Sequence, residues 1–142
     1  FFFIKNSLPI PLIGSGNNRY QLISIYDCVE ALIQFNEQNQ SSGIYNLGSL
    51  NPPKVLDLLK FLIKKTNSNS LLIPTWPKGT KVLLNFLDTV NLTILYPEQF
   101  ILADQDYILD IESLKENLGL YPRFNDQEIL LEAYQSYYGL PK

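Results

Sequence analysis

The chain has 142 residues, of which 46% are hydrophobic and 18% are charged, and its formal net charge is -3. This length suits one domain with a hydrophobic core. There is no histidine and a single cysteine, Cys28, so the sequence excludes an internal disulfide, histidine-bound zinc and Ser-His-Asp catalysis. Mild acidity without a cluster of basic residues predicts that nucleic acid is not a partner.

The first residues, Phe1–Ile4, are apolar, but Lys5 and Asn6 interrupt this run far short of the ~20 residues that span a bilayer. No basic segment precedes it, as one would in a signal peptide. We therefore expect no membrane partner and a cytoplasmic location. Because the chain contains no methionine and opens within an apolar run, we expect it to be part of a longer protein.

Residues 11–48 predict a turn, a strand, a helix and a second strand. The turn formers Gly14–Asn18 precede Gln21–Ile25, which alternates as a half-buried strand does. Asp27, with a glutamate three residues on, predicts a capped helix to about Gln38, and Ile44–Leu47 predicts a short strand. The glycines precede a strand and a third glycine is absent, so the turn does not fit a dinucleotide-binding fingerprint.

The rest of the chain predicts mainly helices, with one short strand at Leu71–Ile73. Asp110 and Asn125 are predicted to cap the last two helices. The helices are expected from Asn51-Pro52-Pro53 to Lys65, from about Gly79 to Val90, from Asp110 to Gly119, and from Asn125 to Gly139. Short strands that alternate with helices predict an α/β fold, here a small lobe of mostly helices with a few short strands.

Three segments, in this order, share patterns with one known family. The first is G-x-G-x-x-R…V-x-D-x-x-x-A, matched by Gly14, Gly16, Arg19, Ile25, Asp27 and Ala31. Gly43–Gly48 matches G-x-Y-N-hydrophobic-G, and Asp110–Pro122 is similar to D-x-S-K-x-x-x-x-L-G-aromatic-x-P. The chain therefore resembles the extended short-chain dehydrogenase/reductases, the NAD-dependent epimerase/dehydratase family.

This resemblance implies that residues 1–142 are the C-terminal substrate-binding domain of such an enzyme, with the Rossmann half absent from the chain. In the family, that half binds the cofactor and the substrate lobe packs over its carboxyl edge. The implied partners are this Rossmann half, a sugar or nucleotide-sugar substrate, and a second copy of the full-length protein in a homodimer.

The implied reaction is transient oxidation at a sugar carbon followed by epimerisation or dehydration, or else reduction of a carbonyl, with NAD or NADP bound to the full-length protein. We expect the chain alone to be inactive and to bind no cofactor, because it has no catalytic, cofactor-binding or metal-binding residues that we can assign. Tyr138 and Lys142 have the Y-x-x-x-K spacing of the family's catalytic pair, but Gly139 and Pro141 break the helix that such a pair needs.

The glycine turn is the candidate substrate-binding site, because arginine offers a fork of donors to a phosphate and side-chain amides bind sugar hydroxyls. Many nucleotide-sugar enzymes of the family have an arginine where this chain has Tyr20, and a second arginine that Leu102–Tyr107 lacks. A sugar without a nucleotide, or a smaller carbonyl compound, therefore stays open as the substrate. The predicted substrate-binding residues are Asn17, Asn18, Arg19, Tyr20 and Gln21.

Acidic residues outside the turn are predicted to be structural. Asp27 is expected to cap a helix and not to act as an active-site carboxylate. Asp104 and Asp106 have a D-x-D spacing, which we interpret as a solvated strand edge and not as a site for a divalent ion.

A second hypothesis is a non-catalytic binding or protein-assembly module. In that case the apolar faces of Lys54–Lys65 and Asp126–Tyr138 would pair with another protein.

Overall fold

The computed structural model describes residues 1–37, 43–89 and 100–141, and the fold class is α/β. Within these residues there are six helices and two short strands, so the prediction of mostly helices with few strands is confirmed. In chain order the elements are α1 (Phe2–Lys5), β1 (Ile10–Ile13), α2 (Ile25–Glu37), α3 (Val55–Lys65), β2 (Leu72–Thr75), α4 (Pro77–Thr89), α5 (Glu112–Leu118) and α6 (Asp126–Tyr137).

The chain alternates between two compact units. The first unit comprises Phe1–Arg19 and Lys54–Tyr107, and the second comprises Tyr20–Pro53 and Ile108–Lys142. The sequence predicts a single domain over residues 1–142, because it contains no repeat, low-complexity tract or recognisable internal linker.

In the first unit, β1 and β2 form a parallel pair in which Ile10 lies opposite Leu72 and Ile13 lies opposite Thr75. β1 was not predicted, because Pro9 and Pro11 flank its first residue. The strand forms because Ile10 N–H donates to Leu71 O (2.8 Å), so Pro11 occupies the next position, where no amide is needed. Among the described residues of this unit, the buried apolar side chains are Ile4, Leu12, Leu58, Leu62 and Phe100.

The second unit is built around a small apolar cluster from α2, α5 and the residues after each. The helical spacing of Leu114 and Leu118 places both on one face of α5, where both are buried. Gly119 ends this helix with a φ of +63°, as predicted. The cluster comprises Ala31, Leu114, Leu118 and Leu120, with Phe35, Tyr45 and Leu47 packed against it.

The predicted cap of the last helix is present. Asn125 accepts a hydrogen bond from Glu128 N (3.0 Å), and Glu128 Oε2 accepts one from Asn125 N (3.0 Å), which completes a capping box at the start of α6. Asp110 is not the N-cap of α5, contrary to the prediction, because that position is Ile111, whose side chain makes no cap hydrogen bond. From one residue earlier, Asp110 Oδ1 accepts from Glu112 N (2.9 Å), the first amide of α5.

The predicted strands Gln21–Ile25 and Ile44–Leu47 are not strands in the structure. Their backbone groups bond outside a ladder: Leu22 N–H donates to the carboxylate of Asp126 (2.8 Å), and Leu22 O accepts from Ser49 N (2.8 Å). The alternating pattern of Gln21–Ile25 did not predict burial either, because the polar Ser24 is 3% exposed and the apolar Ile25 is 68% exposed. The predicted helix ends at Gln38 and Val90 lie outside the described residues.

Candidate functional site

The glycine turn of the first unit needs glycine at two positions. Gly14 and Gly16 have φ values of +85° and +71°, a region that side chains disfavour. A Cβ on Gly16 would also lie 3.1 Å from Cβ of Leu56 and 3.2 Å from Cδ1 of Leu12. The turn can therefore approach the start of α3 only because residue 16 has no side chain.

This close approach lets the turn cap α3. The amides of Val55 and Leu56 donate to the carbonyl oxygens of Asn18 and Gly16 (2.9 Å each), and the next two amides of the helix donate to Lys54 O (3.0 Å each). The first four N–H groups of the helix are thus satisfied by the protein itself. These four amides are therefore not available to a ligand at this turn.

Asn18, a predicted substrate residue, is held within the first unit. Its Nδ2 donates to Ala103 O (3.1 Å) and Gln105 O (3.2 Å), which uses both amide hydrogens. Next to it, Arg19 N donates to Asp106 Oδ1 (2.7 Å), and Arg19 O accepts from Tyr107 N (2.8 Å). The side chain of Asn18 therefore fixes the turn against residues 103–107, which accounts for an asparagine at this position.

Gln21, another predicted substrate residue, belongs to the second unit, as does Tyr20, which is 44% exposed. Gln21 Nε2 donates to Ser49 O (2.7 Å), and its Oε1 accepts from Leu109 N (2.7 Å). A Cβ on Gly48 would lie 2.4 Å from Cδ of Gln21, so the amide fits only because residue 48 is glycine.

Replacing Gly48 with alanine is therefore expected to displace the Gln21 amide and to lower the free energy of unfolding by about 2 kcal/mol, because two hydrogen bonds to main chain are lost. Urea unfolding measures this. In a Gln21→Ala background the same Gly48→Ala change should cost much less, since the clash is then gone. Equal costs in the two backgrounds would contradict this role for Gly48.

Arg19 and Lys54 lie opposite each other in an isolated antiparallel bridge. Paired positions of this kind project their side chains to the same side. Both side chains are exposed, and Lys54 Nζ donates to Asn17 Oδ1 (3.3 Å). Of the predicted residues in this unit, Asn17 and Arg19 thus face solvent. Lys54, which was not among the predicted site residues, lies beside them. No local pattern singles out Lys54, because the helix was expected to start at Asn51-Pro52-Pro53, whereas the structure places Lys54 at its N-cap.

The two carboxylates of the D-x-D segment have separate structural contacts. Asp104 forms an ion pair with Lys81, whose Nζ also donates to Ile101 O (2.8 Å). Asp106 binds the main chain of Arg19. Within residues 1–37, 43–89 and 100–141, no three Asp, Glu, Cys or His side chains group in a way that would hold a metal ion.

Asp27 is not the cap of its own helix, contrary to the prediction. α2 begins at Ile25, and Ser24 Oγ accepts from Tyr26 N (3.2 Å) in the capping position. Asp27 is buried in the first turn, where its carboxylate accepts from the main-chain N–H of Arg123 (3.2 Å) and of Phe124 (3.4 Å). The S-x-x-D spacing of Ser24 and Asp27 was the available sequence signal.

Tyr138 follows the last residue of α6, and Gly139 has a φ of +61°, so the helix stops as predicted. Partial burial raises the pKa of Tyr138, and the neighbouring Tyr137 and Tyr134 raise it further. A tyrosine that transfers a proton near neutral pH needs its pKa lowered, so this environment acts in the opposite direction. Lys142 lies outside the described residues.

No family model matches the chain. The uncharacterized protein y4nG of Sinorhizobium fredii (strain NBRC 101917 / NGR234) is 27% identical over 139 residues, which are 96% of this chain and 34% of that protein. The crystal structure of the PbgP3 protein from Burkholderia pseudomallei is similar with a TM-score of 0.60 and 19% identity, over 96% of this chain and 36% of that one. The chain thus spans about a third of the length of the relatives it matches, and its fold is that of a portion of a larger protein.

Among the helices in the part of the chain that the structure describes, none has both the length and the apolar character that crossing a membrane requires.

Proposed function

We propose that this chain is the C-terminal, substrate-binding portion of an NAD(P)-dependent epimerase/dehydratase or carbonyl reductase of the extended short-chain dehydrogenase/reductase family. In this proposal the substrate is a sugar or nucleotide-sugar, and NAD or NADP binds to a Rossmann half supplied by the full-length protein. The chain alone has no activity.

The observation that carries the proposal is the extent of the matches: nearly the whole chain corresponds to about a third of two longer proteins. A lobe that works only beside another domain would give this result. The family patterns add support, because three of their glycines stand where the structure disfavours a side chain. Gly16 lies against α3, Gly48 lies against the Gln21 amide, and Gly119 ends α5 with a positive φ.

The test is to read the coding sequence upstream of Phe1 and to express the longer protein. We expect a glycine-rich strand-to-helix turn and a Y-x-x-x-K pair about one domain earlier. Calorimetry should detect NAD or NADP binding to the longer protein, whereas the 142-residue chain should not bind either below about 100 μM, which corresponds to about -5.5 kcal/mol. An unrelated upstream domain, or tight cofactor binding by the chain alone, would overturn the proposal.

A second candidate, a non-catalytic binding or assembly module, draws support from one helix. α4 has no buried side chain and exposes Val82, Leu83 and Phe86 by 71%, 57% and 62%. Two helices were first considered for this role. α3 buries Leu58 and Leu62, and α6 buries Asp126 and Tyr134. The upstream coding sequence distinguishes the candidates, because an assembly module does not need a cofactor-binding half.

A further inference from the structure

Helix α2 of the second unit carries apolar residues on two sides. One side contributes Ala31 to the apolar cluster and buries Asp27. On the other side Ile25, Val29 and Leu32 follow one another at i, i+4 and i+7, so their side chains share a face of the helix. Apolar residues on both sides are typical of a helix that is buried on both sides.

The second side of α2 is exposed. Ile25, Val29 and Leu32 are 68%, 48% and 69% exposed, and Ile33 beside them is 47% exposed. We call these four residues the α2 face. A contiguous group of exposed apolar side chains is typical of a surface that binds another protein or domain.

An open cavity of about 210 Å³ adjoins the α2 face at Leu32. Its walls are apolar, because its other lining residues include Phe35, Tyr45, Leu47 and Leu114. No described side chain fills this space, although protein interiors are close-packed. An apolar cavity of about 150 Å³ is large enough to bind benzene, so this one has room for a large apolar side chain.

A second cavity, of about 320 Å³, lies at the start of α2 and is lined by Ile25. Ile23 and two residues of α6, Ile129 and Ala133, also line it. The α2 face therefore continues into an apolar depression at each end, which makes it longer than the exposed helix residues alone.

The lengths of the related proteins indicate what covers the α2 face. The chain corresponds to 34% of y4nG and 36% of PbgP3, so about two thirds of each protein has no counterpart in it. A domain on the same polypeptide meets such a face at an effective concentration of about 1 mM. A modest apolar surface therefore suffices to hold a domain that is part of the same protein.

We propose that the α2 face and the cavity beside Leu32 form the docking surface for the part of the longer protein that lies outside this chain. The cavity receives one large apolar side chain of that part, which buries Val29 and Leu32. The inference rests on the proposed function in that the chain is a portion of a longer protein. It does not require the docked part to bind NAD or NADP.

Thiol labelling tests the burial of Leu32 directly. Leu32→Cys in a Cys28→Ser background is treated with a maleimide, both in the 142-residue chain and in the longer protein, and mass spectrometry quantifies the modified peptide. We expect labelling to be about 100-fold slower in the longer protein, because the docked face must first open. Leu71→Cys is the matched control, since Leu71 is 68% exposed in the first unit, and it should be labelled at the same rate in both proteins.

The melting temperature of Leu32→Glu supplies a second readout. In the 142-residue chain the new charge stays in water, so the melting temperature should change by no more than about 2 °C. In the longer protein the charge is buried without a partner, and the first unfolding transition should fall by about 5 °C or more. A fall of about 5 °C in the 142-residue chain as well would show that Leu32 stabilises the second unit itself and would overturn the proposal.

Equally fast labelling of Leu32→Cys in both proteins, or equal slowing at Leu71→Cys, would also overturn the proposal. A dimer of the 142-residue chain that Leu32→Glu dissociates would do the same, because a second copy then covers the α2 face. Protection of Leu32→Cys by a domain that binds no cofactor would instead remove the enzyme assignment and keep the docking surface.

Discussion

Replacing Asp126 with alanine is expected to lower the free energy of unfolding by about 2–5 kcal/mol, because a buried hydroxyl and a partly buried amide lose their carboxylate acceptor. The side chain of Asp126 is 0% exposed. Its Oδ1 accepts from Leu22 N (2.8 Å) and its Oδ2 from the hydroxyl of Ser49, which is itself 1% exposed. One carboxylate thus holds two distant segments of the second unit against the start of α6.

Urea unfolding followed by circular dichroism measures the effect. Asp126→Asn keeps one acceptor oxygen and should fall between the wild type and Asp126→Ala. Glu116→Gln, an exposed acidic residue of α5, is the control and should unfold within about 0.5 kcal/mol of the wild type. An unfolding midpoint for Asp126→Ala equal to that of the control would disprove this role.

Replacing Asp27 with alanine is expected to lower the free energy of unfolding by about 2 kcal/mol, through loss of the hydrogen bonds from the main chain at Arg123 and Phe124. Asp27 is 2% exposed, so in this variant water would reach the unpaired amides of Arg123 and Phe124 only poorly. The carboxylate also lies 3.5 Å from Nε of Arg123, but that side chain is 60% exposed. An exposed ion-pair partner contributes only about 0–1 kcal/mol.

Arg123→Ala separates the two contributions, since it removes the ion pair and keeps the main-chain donor. We expect this variant to cost less than half as much as Asp27→Ala in the same urea experiment. If the two variants cost the same, the ion pair and not the main-chain contact fixes Asp27.

The elements that the sequence predicted well carry their signals locally. α3, α5 and α6 follow from apolar spacing, and the side chains of Asp110 and Asn125 lie within three residues of the amides from which they accept. The two false strands failed for the opposite reason. The amide of Leu22 bonds to Asp126, far along the chain, and no local pattern reports such a partner.

In the candidate site, too, the sequence predicted local features and missed contacts between residues that are distant along the chain. Gly16 and Arg19 could be singled out from a short motif, whereas the neighbour of Arg19 is Lys54, which folding alone brings close. The hydrogen bonds of Asn18 and Gln21 also join residues far apart in sequence, so the sequence alone could not predict these structural contacts. Substrate contact by the exposed Asn17, Arg19 and Tyr20 stays a prediction.

The alternation of the chain between its units means that no single truncation isolates either of them. The bridge between Arg19 and Lys54 offers a way around this, because a two-residue hairpin turn is long enough to connect paired positions of antiparallel backbone. Excising residues 20–53 and closing the gap with Asn-Gly would make the first unit a continuous polypeptide ending at Tyr107. This shortened protein would keep the glycine turn, Arg19 and Lys54, and would have about half of the original number of residues.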